Sequence, residues 1–205
     1  MSEQMQSSHS HAMTSTGHAL AEASYLDSHF LTCQPEYEAM LRSVGIQPGW
    51  HVLDAGCGGG SFLPLMAELV GANGKISALD FAPENVAAVE AQVKSGKFPC
   101  MVEACVGSVT ALPYEDNIFD TVWNANVSQY FTDQELPTIL AEFRRVVRAG
   151  GLVAVKEAEA TNWQTQPTTS TLMWHLFEAA QQHGDVQLSG CLRAIELPKW
   201  FRAAG

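Results

Sequence analysis

Residues 52–60 read VLDAGCGGG, a short apolar run that meets a segment with glycine at every second position. Glycine has no Cβ, so such a segment takes left-handed backbone angles and approaches another group more closely than side chains allow. Few architectures use a loop of this kind between a buried strand and a helix. In open α/β sheets it lies at the carboxyl end of a parallel strand, where ligands bind. The helix behind it brings N–H groups that no helical carbonyl satisfies, a natural seat for an anion.

The flanking pattern agrees. A helical stretch from Pro35 stops at Gly45, and HVLDA (51–55) then reads as a short buried strand. SFLPLMAELVG (61–71) places Phe62, Met66, Leu69 and Val70 on one helical face, with Gly71 to end it. KISALD (75–80) is the second strand, and residues 82–96 form a helix with Val86, Val89 and Val93 on one stripe. CMVEACV (100–106) and FDTVWNA (119–125) are the third and fourth strands. The next helix carries Leu136, Ile139, Leu140, Phe143, Val146 and Val147, and starts either at a Thr132–Glu135 capping box or later, at Pro137. AGG (149–151) reads as a turn and LVAVKEA (152–158) as the fifth strand. Strands alternating with helices mean βαβ units, so the fold class is α/β, Rossmann-like and doubly wound. The sheet is mostly parallel, with helices on both faces.

Residues 1–18 are polar, without periodicity, and read as a disordered or loosely docked tail. Its His9, His11 and His18 read as incidental, so no metal site is expected. Residues 19–205 read as one domain, with a core over 35–160 and a lid or C-terminal helical region over 161–205. Eleven Lys and Arg stand against 22 Asp and Glu. That balance argues against nucleic acid or an anionic membrane as partner, since both need clustered cations. Five cysteines without a CxxC pair suit free thiols in a reducing, cytoplasmic setting.

The loop spacing also discriminates between nucleotide ligands. A dinucleotide fingerprint GxGxxG needs glycine at position 61, and this chain has Ser61. Instead Asp54 stands two residues before Gly56, followed by Gly58 and Gly60. In this the chain resembles the class I S-adenosylmethionine-dependent methyltransferases, whose first motif is D/E-x-G-x-G-x-G. The resemblance runs over about residues 35–160. It includes ALDFAPENV after the second strand, GSVTALPYEDNIFDTV before the fourth, and EFRRVVRAGGLVAVKE through the fifth. The branch it most resembles methylates small molecules such as quinones, sterols and secondary metabolites.

The resemblance implies S-adenosylmethionine as cofactor and a small, partly apolar molecule as methyl acceptor at oxygen, carbon or nitrogen. It implies that Asp80 accepts from the ribose hydroxyls and that Phe81 offers a face to adenine. Asp54 then helps hold the amino-acid end, with Gly56, Cys57, Gly58 and Gly60 forming the close-approach loop. Ser108 and Val109 occupy the adenine segment, where the family usually has Gly-Asp and this chain has Gly107-Ser108. Asn124 matches a position whose backbone meets the methionine amino group.

Methyl transfer from a sulfonium draws much of its rate from proximity, with a base only where the acceptor loses a proton. Candidates for that base, or for facing the acceptor, are His29, Tyr130 and His175. Tyr25, Asn126, Ser128, Trp163, Trp174, Phe177 and His183 are further acceptor-side candidates. A non-catalytic cofactor-binding partner or sensor remains an alternative, and a nicotinamide-dependent oxidoreductase a more distant one. The family builds seven strands, and the chain reaches Gly205 where the sixth would begin. A five-stranded core is therefore expected, its last strand covered by C-terminal helices, by a second subunit, or by residues of a longer product. Lys156 is the only charge on that strand placed to deter edge pairing.

Overall fold

The computed structural model describes residues 23–161 and 169–205. The tail at 1–18, its histidines and Trp163 lie outside them. Two short helices, α1 (Ala23–Thr32) and α2 (Gln34–Ser43), precede the sheet. The alternation then runs β1 (His51–Ala55), α3 (Leu63–Val70), β2 (Lys75–Asp80), α4 (Pro83–Lys94) and β3 (Met101–Val106). It continues with β4 (Phe119–Ala125), α5 (Leu136–Val146) and β5 (Val147–Lys156). Three helices close the described chain: α6 (Ser170–Gln182), α7 (Val186–Arg193) and α8 (Leu197–Ala204).

The strands form one parallel sheet in the order β3-β2-β1-β4-β5. Alternate residues of each strand point to opposite faces, which splits the core in two. Val52, Ile76 and Trp123 pack with α2, α3 and Val89 of α4. Leu53, Leu79 and Val122 pack with the apolar stripe of α5 and with Leu197. The helices that step the chain from β1 to β3 thus lie on one face, and the helix from β4 to β5 on the other. That reversal is the doubly wound arrangement, and its switch point falls between β1 and β4.

Both alternatives at the start of α5 are realised together. Thr132 and Glu135 exchange capping-box bonds, with Thr132 N to Glu135 Oε2 at 2.8 Å and Glu135 N to Thr132 Oγ1 at 3.3 Å. They close a turn, and the helix proper begins at Leu136 with Pro137 in its first turn.

The fifth strand needs correction. It begins at Val147, and Ala149-Gly150-Gly151 is a bulge inside it rather than a turn before it. The register jumps from Phe119↔Val147 to Thr121↔Leu152, and Gly150 takes φ 77°. Among the described residues β5 pairs with β4 alone, so no strand lies on its outer edge; α8 packs on α5, and Leu152 is 39 % exposed. Lys156 does not guard that edge, because it is buried and turned inward.

Candidate functional site

A crevice opens where connections leave β1 and β4 toward opposite faces, and a cavity of about 720 Å3 fills it. Gly56, Cys57 and Gly58, then Asp80 and Phe81, then Ser108 and Val109 form one wall. Gly56 (φ 88°) and Gly58 (φ 52°) use the left-handed region. A Cβ on Gly56 would overlap a Val127 methyl and lie 3.2 Å from the other, so the loop and the segment after β4 meet only through glycine.

The loop is tied from within. Gly56 N and Cys57 N both donate to Leu79 O, at 2.7 and 2.9 Å, and Gly60 N donates to Cys57 O. Asp80, 7 % exposed, is the hub. Its Oδ2 accepts from Gly58 N at 2.8 Å, while Oδ1 accepts from Ala82 N at 2.9 Å and Asn85 Nδ2 at 3.0 Å. These loop amides therefore hold the protein together instead of standing open to an anion. Burial raises the Cys57 thiol well above its ordinary value, leaving it a filler rather than a nucleophile.

Three residues picked out with this loop lie behind the wall. Gly60 (φ 87°) turns the chain against Leu63 and Val89. Asn124 is buried in the sheet, donating to Ala55 O at 2.6 Å, and the cavity surface begins only at Ala125 and Asn126. Asp54 is buried beneath the loop with Oδ2 unmatched by any protein donor. Burial first, and then the nearby Asp80 charge, push its carboxyl up to about 8.

The sign of the pH effect follows from that shift. A carboxyl with a higher pKa folded than unfolded stabilises the fold at low pH. The contribution fades as pH rises from about 4 through about 8. Lys156, lowered to about 8 by burial, acts oppositely, its penalty relieved only above that value. Urea unfolding of the ligand-free protein should therefore show stability falling between about pH 5 and about pH 8. Asp54→Asn, which cannot titrate, should flatten that profile. Equal slopes in the two proteins would rule out a protonated Asp54.

Ser108 is engaged within its own turn: its hydroxyl lies 2.7 Å from Thr110 Oγ1 and accepts from Thr110 N at 3.2 Å. An aspartate closes the same turn and adds a stronger acceptor at the cavity wall. Ser108→Asp should leave cofactor affinity unchanged or tighten it up to about tenfold, as one charge-assisted hydrogen bond would. Calorimetry showing a tenfold loss would mean that the segment faces something other than adenine.

The opposite wall is aromatic. His29 and Phe30 of α1, Tyr37 of α2 and Phe62 reach the cavity. Phe30 meets Phe62 edge-on at 5.0 Å, Tyr37 stacks on Phe62 at 5.9 Å, and Phe62 meets Trp123 at 5.3 Å. These contacts fix the first two helices onto the start of α3 and onto β4. The segment after β4 brings Asn126, Gln129, Tyr130 and Phe131 to the surface.

Two buried cations and the half-buried Glu157 hold that segment from behind. Lys156 Nζ donates to Asn126 Oδ1 at 2.6 Å and stands 3.8 Å over the Tyr37 ring. Glu157 Oε1 accepts from Val127 N, Ser128 N and Ser128 Oγ at 2.6–2.9 Å. Arg193 of α7 donates to Ser128 O at 2.8 Å and Phe131 O at 3.0 Å, and pairs with Asp133. Asn126 itself sits at φ 58°, a strained conformation that this network sustains.

Of the acceptor-side candidates, His29 and Tyr130 line the cavity. Tyr25 lies on α1, and Ser128 is buried against Glu157. His175, Trp174 and His183 are exposed on or just after α6 and line no part of the cavity, while Phe177 is buried with Cys191 in a small separate cluster. Among the described side chains of α6, Phe177 is buried and Met173 partly so, whereas Leu172 and Leu176 are exposed, and the histidines are surface. Sequence reasoning missed α7, which supplies Asp185, Gln187, Leu188 and Cys191 to the wall. A signal was present: Gly184 (φ 74°) ends α6 and Asp185 caps α7, accepting from Leu188 N at 2.9 Å. A cap marks a helix start, but nothing in it says what the helix faces. Among the described residues no cluster of metal-ligating side chains occurs, and no helix is long and apolar enough to cross a membrane.

Comparison with known proteins meets the same residues. Residues 52–151 match a family described as a methyltransferase domain. A demethylmenaquinone methyltransferase from Alkalihalophilus pseudofirmus is 33 % identical over 141 residues, covering 67 % of this chain and 56 % of that protein. One from Bacillus pumilus is 34 % identical over 121 residues, covering 57 % and 49 %. The chain thus spans about half the length of the curated relatives it matches. A solved S-adenosylmethionine-dependent methyltransferase from Aquifex aeolicus shares the fold, with a TM-score of 0.60 at 23 % identity over 80 % of this chain and 89 % of that one. With its glycine loop, its carboxylate at the end of β2 and its doubly wound sheet, this chain belongs to the class I S-adenosylmethionine-dependent methyltransferases.

Proposed function

We propose that this protein transfers the methyl group of S-adenosylmethionine to oxygen, carbon or nitrogen of a small, partly apolar molecule. One observation carries the reading: the nucleotide-type wall around Asp80 and the aromatic wall of His29, Phe30 and Tyr37 enclose a single cavity. Its volume is in the range of small-molecule sites. The relatives named for demethylmenaquinone make a quinol-like aromatic a natural first acceptor to test.

The residues present fit the cofactor. Asp80 Oδ1 already accepts two protein donors, so Oδ2 is the oxygen with room for a ribose hydroxyl. Phe81, 52 % exposed, offers an apolar face at the cavity rim. The positive-φ glycines let the backbone pass close to the ligand, and Ala125 and Asn126 stand where its amino-acid end would lie. The bound cofactor supplies a methyl group on a cationic sulfur, reactive toward a nucleophile in line with that bond.

The chain's own part is then to orient and dry the acceptor. Phe30, Tyr37 and Phe62 exclude water, and the rigid 126–131 segment sets the distance between the two ligands. His29 takes up the acceptor's proton where one must leave, and the Tyr130 hydroxyl orients the acceptor by hydrogen bonding. Turnover of labelled S-adenosylmethionine against phenols, quinols and amines tests the proposal. Binding without transfer to any of them would favour a non-catalytic binder or sensor, the reading that Ser108 in the adenine segment keeps in view. Ser61, on the cavity wall where the dinucleotide fingerprint needs glycine, weighs against a nicotinamide enzyme.

The five free cysteines and the acidic charge support a cytoplasmic protein that binds neither nucleic acid nor membrane. Residues 1–18 are proposed as a tail to a single domain. The open edge of β5 is the surface proposed for self-association. Light scattering showing a monomer at all concentrations would exclude it.

A further inference from the structure

We infer that the acceptor chamber selects by charge, admitting uncharged and cationic molecules and turning away carboxylates, sulfates and phosphates. The inference rests on the methyltransferase reading above. It begins with where the charges lie. All eleven Lys and Arg fall between residues 42 and 156 or beyond 192, among the described residues. Residues 1–41 and 157–192 hold nine carboxylates and no Lys or Arg. The rest of the chain is nearly balanced, with thirteen carboxylates against eleven cations. The two acidic segments are the ones that build the acceptor side, through His29, Phe30 and Tyr37 from one and Asp185, Leu188 and Cys191 from the other.

The cavity surface repeats that asymmetry. Asp80, Glu135 and Asp185 contribute three carboxylates to it, and none of the eleven Lys and Arg lines it. Two cations do touch residues of the wall, and both are committed to protein acceptors. Lys156 lies behind Asn126, bonded to its Oδ1 at 2.6 Å and covered by the Tyr37 ring. Arg193 lies behind Ser128 and Phe131, holding their carbonyls and pairing with Asp133. Neither offers its charge to a ligand. Asp185 is fixed in place as the cap of α7. In a half-enclosed site an anion within several ångströms of such a carboxylate is repelled by at least about tenfold in affinity, and a cation is not. Exposed approaches are screened over about 8 Å at physiological salt, so the effect belongs to the chamber and its mouth.

The test uses one ring system carrying three charges: naphthol, its aminomethyl derivative and its carboxylic acid derivative. Each is titrated by calorimetry into protein saturated with S-adenosylhomocysteine. The acid is expected to bind at least about tenfold more weakly than the other two at low salt, and the gap to narrow in about 0.5 M salt. Asp185→Asn should close it by severalfold, since asparagine caps the helix equally well and carries no charge. An acid that binds as tightly as naphthol, or a gap untouched by salt and by Asp185→Asn, overturns the charge inference alone. Failure of all three rings to bind, with S-adenosylhomocysteine bound, overturns instead the assignment of the acceptor chamber.

Discussion

Asp80→Ala is expected to weaken binding of S-adenosylmethionine at least about a hundredfold and to destabilise the protein at the same time. Its carboxylate receives Gly58 N, Ala82 N and Asn85 Nδ2 before any ligand arrives. Hydrogen bonds to a charged acceptor contribute about 1.5–3 kcal/mol each, and buried donors left without a partner add their own penalty. A stability loss of about 3–5 kcal/mol follows, together with at least about a hundredfold loss of affinity as the loop relaxes and the ribose acceptor vanishes. Asp80→Asn should recover little, because its amide NH2 would face one of the N–H donors it replaces an acceptor for. Urea denaturation and calorimetry measure the two effects separately. Wild-type cofactor affinity in Asp80→Ala would remove the basis for placing the cofactor against this loop.

Gly190→Ala sets two magnitudes against each other. Alanine is favoured over glycine inside a helix by about 1 kcal/mol, so α7 taken alone would gain. A Cβ at this position, however, overlaps the Gln129 carbonyl oxygen and stands 2.7 Å from its carbonyl carbon. That neighbour is backbone whose flanking residues are held by Glu157 and Arg193, and it cannot swing aside like a side chain. The clash wins, and α7 must lift from the 3-10 turn at Ser128–Tyr130, breaking the Cys191–Gln129 contact at 3.0 Å and the Arg193 bonds. Overpacking of this kind costs about 1–3 kcal/mol or more. The expected signature is a split: KM for the acceptor rises at least about tenfold while cofactor affinity stays near wild type. Unchanged acceptor KM would show that α7 is no part of the acceptor wall.

The five strands were legible because each is a short apolar run closed by glycine, proline or a polar residue, and the helices between them carry clear 3.6-residue stripes. The glycine loop and Asp80 were legible for a local reason, since loop and carboxylate are set by neighbours in sequence. The misreadings share the opposite cause. Strand alternation buries the Asn124 side chain and brings Ala125, one residue on, to the cavity surface, while the role expected of Asn124 rests on its backbone. The bulge at 149–151 looks like any glycine turn until its pairing with β4 is known. His175 and Asp185 are ten residues apart on neighbouring helices, and only the docking of α7 on the 128–131 segment decides which meets the cavity. Lys156 reads as an exposed edge charge, but its side chain finds Asn126 and Tyr37 from elements 30 and more residues away.

That last kind of contact governs how the molecule opens. The cofactor wall rests on strand ends and on β1–β2 loop bonds inside the packed sheet. The acceptor wall, in contrast, is completed by a short helix held through the Arg193 guanidinium, the Cys191 thiol, a backbone bond from Ala160 N to Cys191 O and a small apolar cluster around Phe177, apart from the two main cores. Segments packed outside the main core separate with less free energy than global unfolding requires. Backbone amides of α7 should therefore exchange with solvent well before those of β1 and β4, at a denaturant concentration where the cofactor still binds. The protein would then pass through a form that holds its methyl donor with nothing beside it, and an acceptor that binds slows exchange in α7 more than anywhere in the sheet.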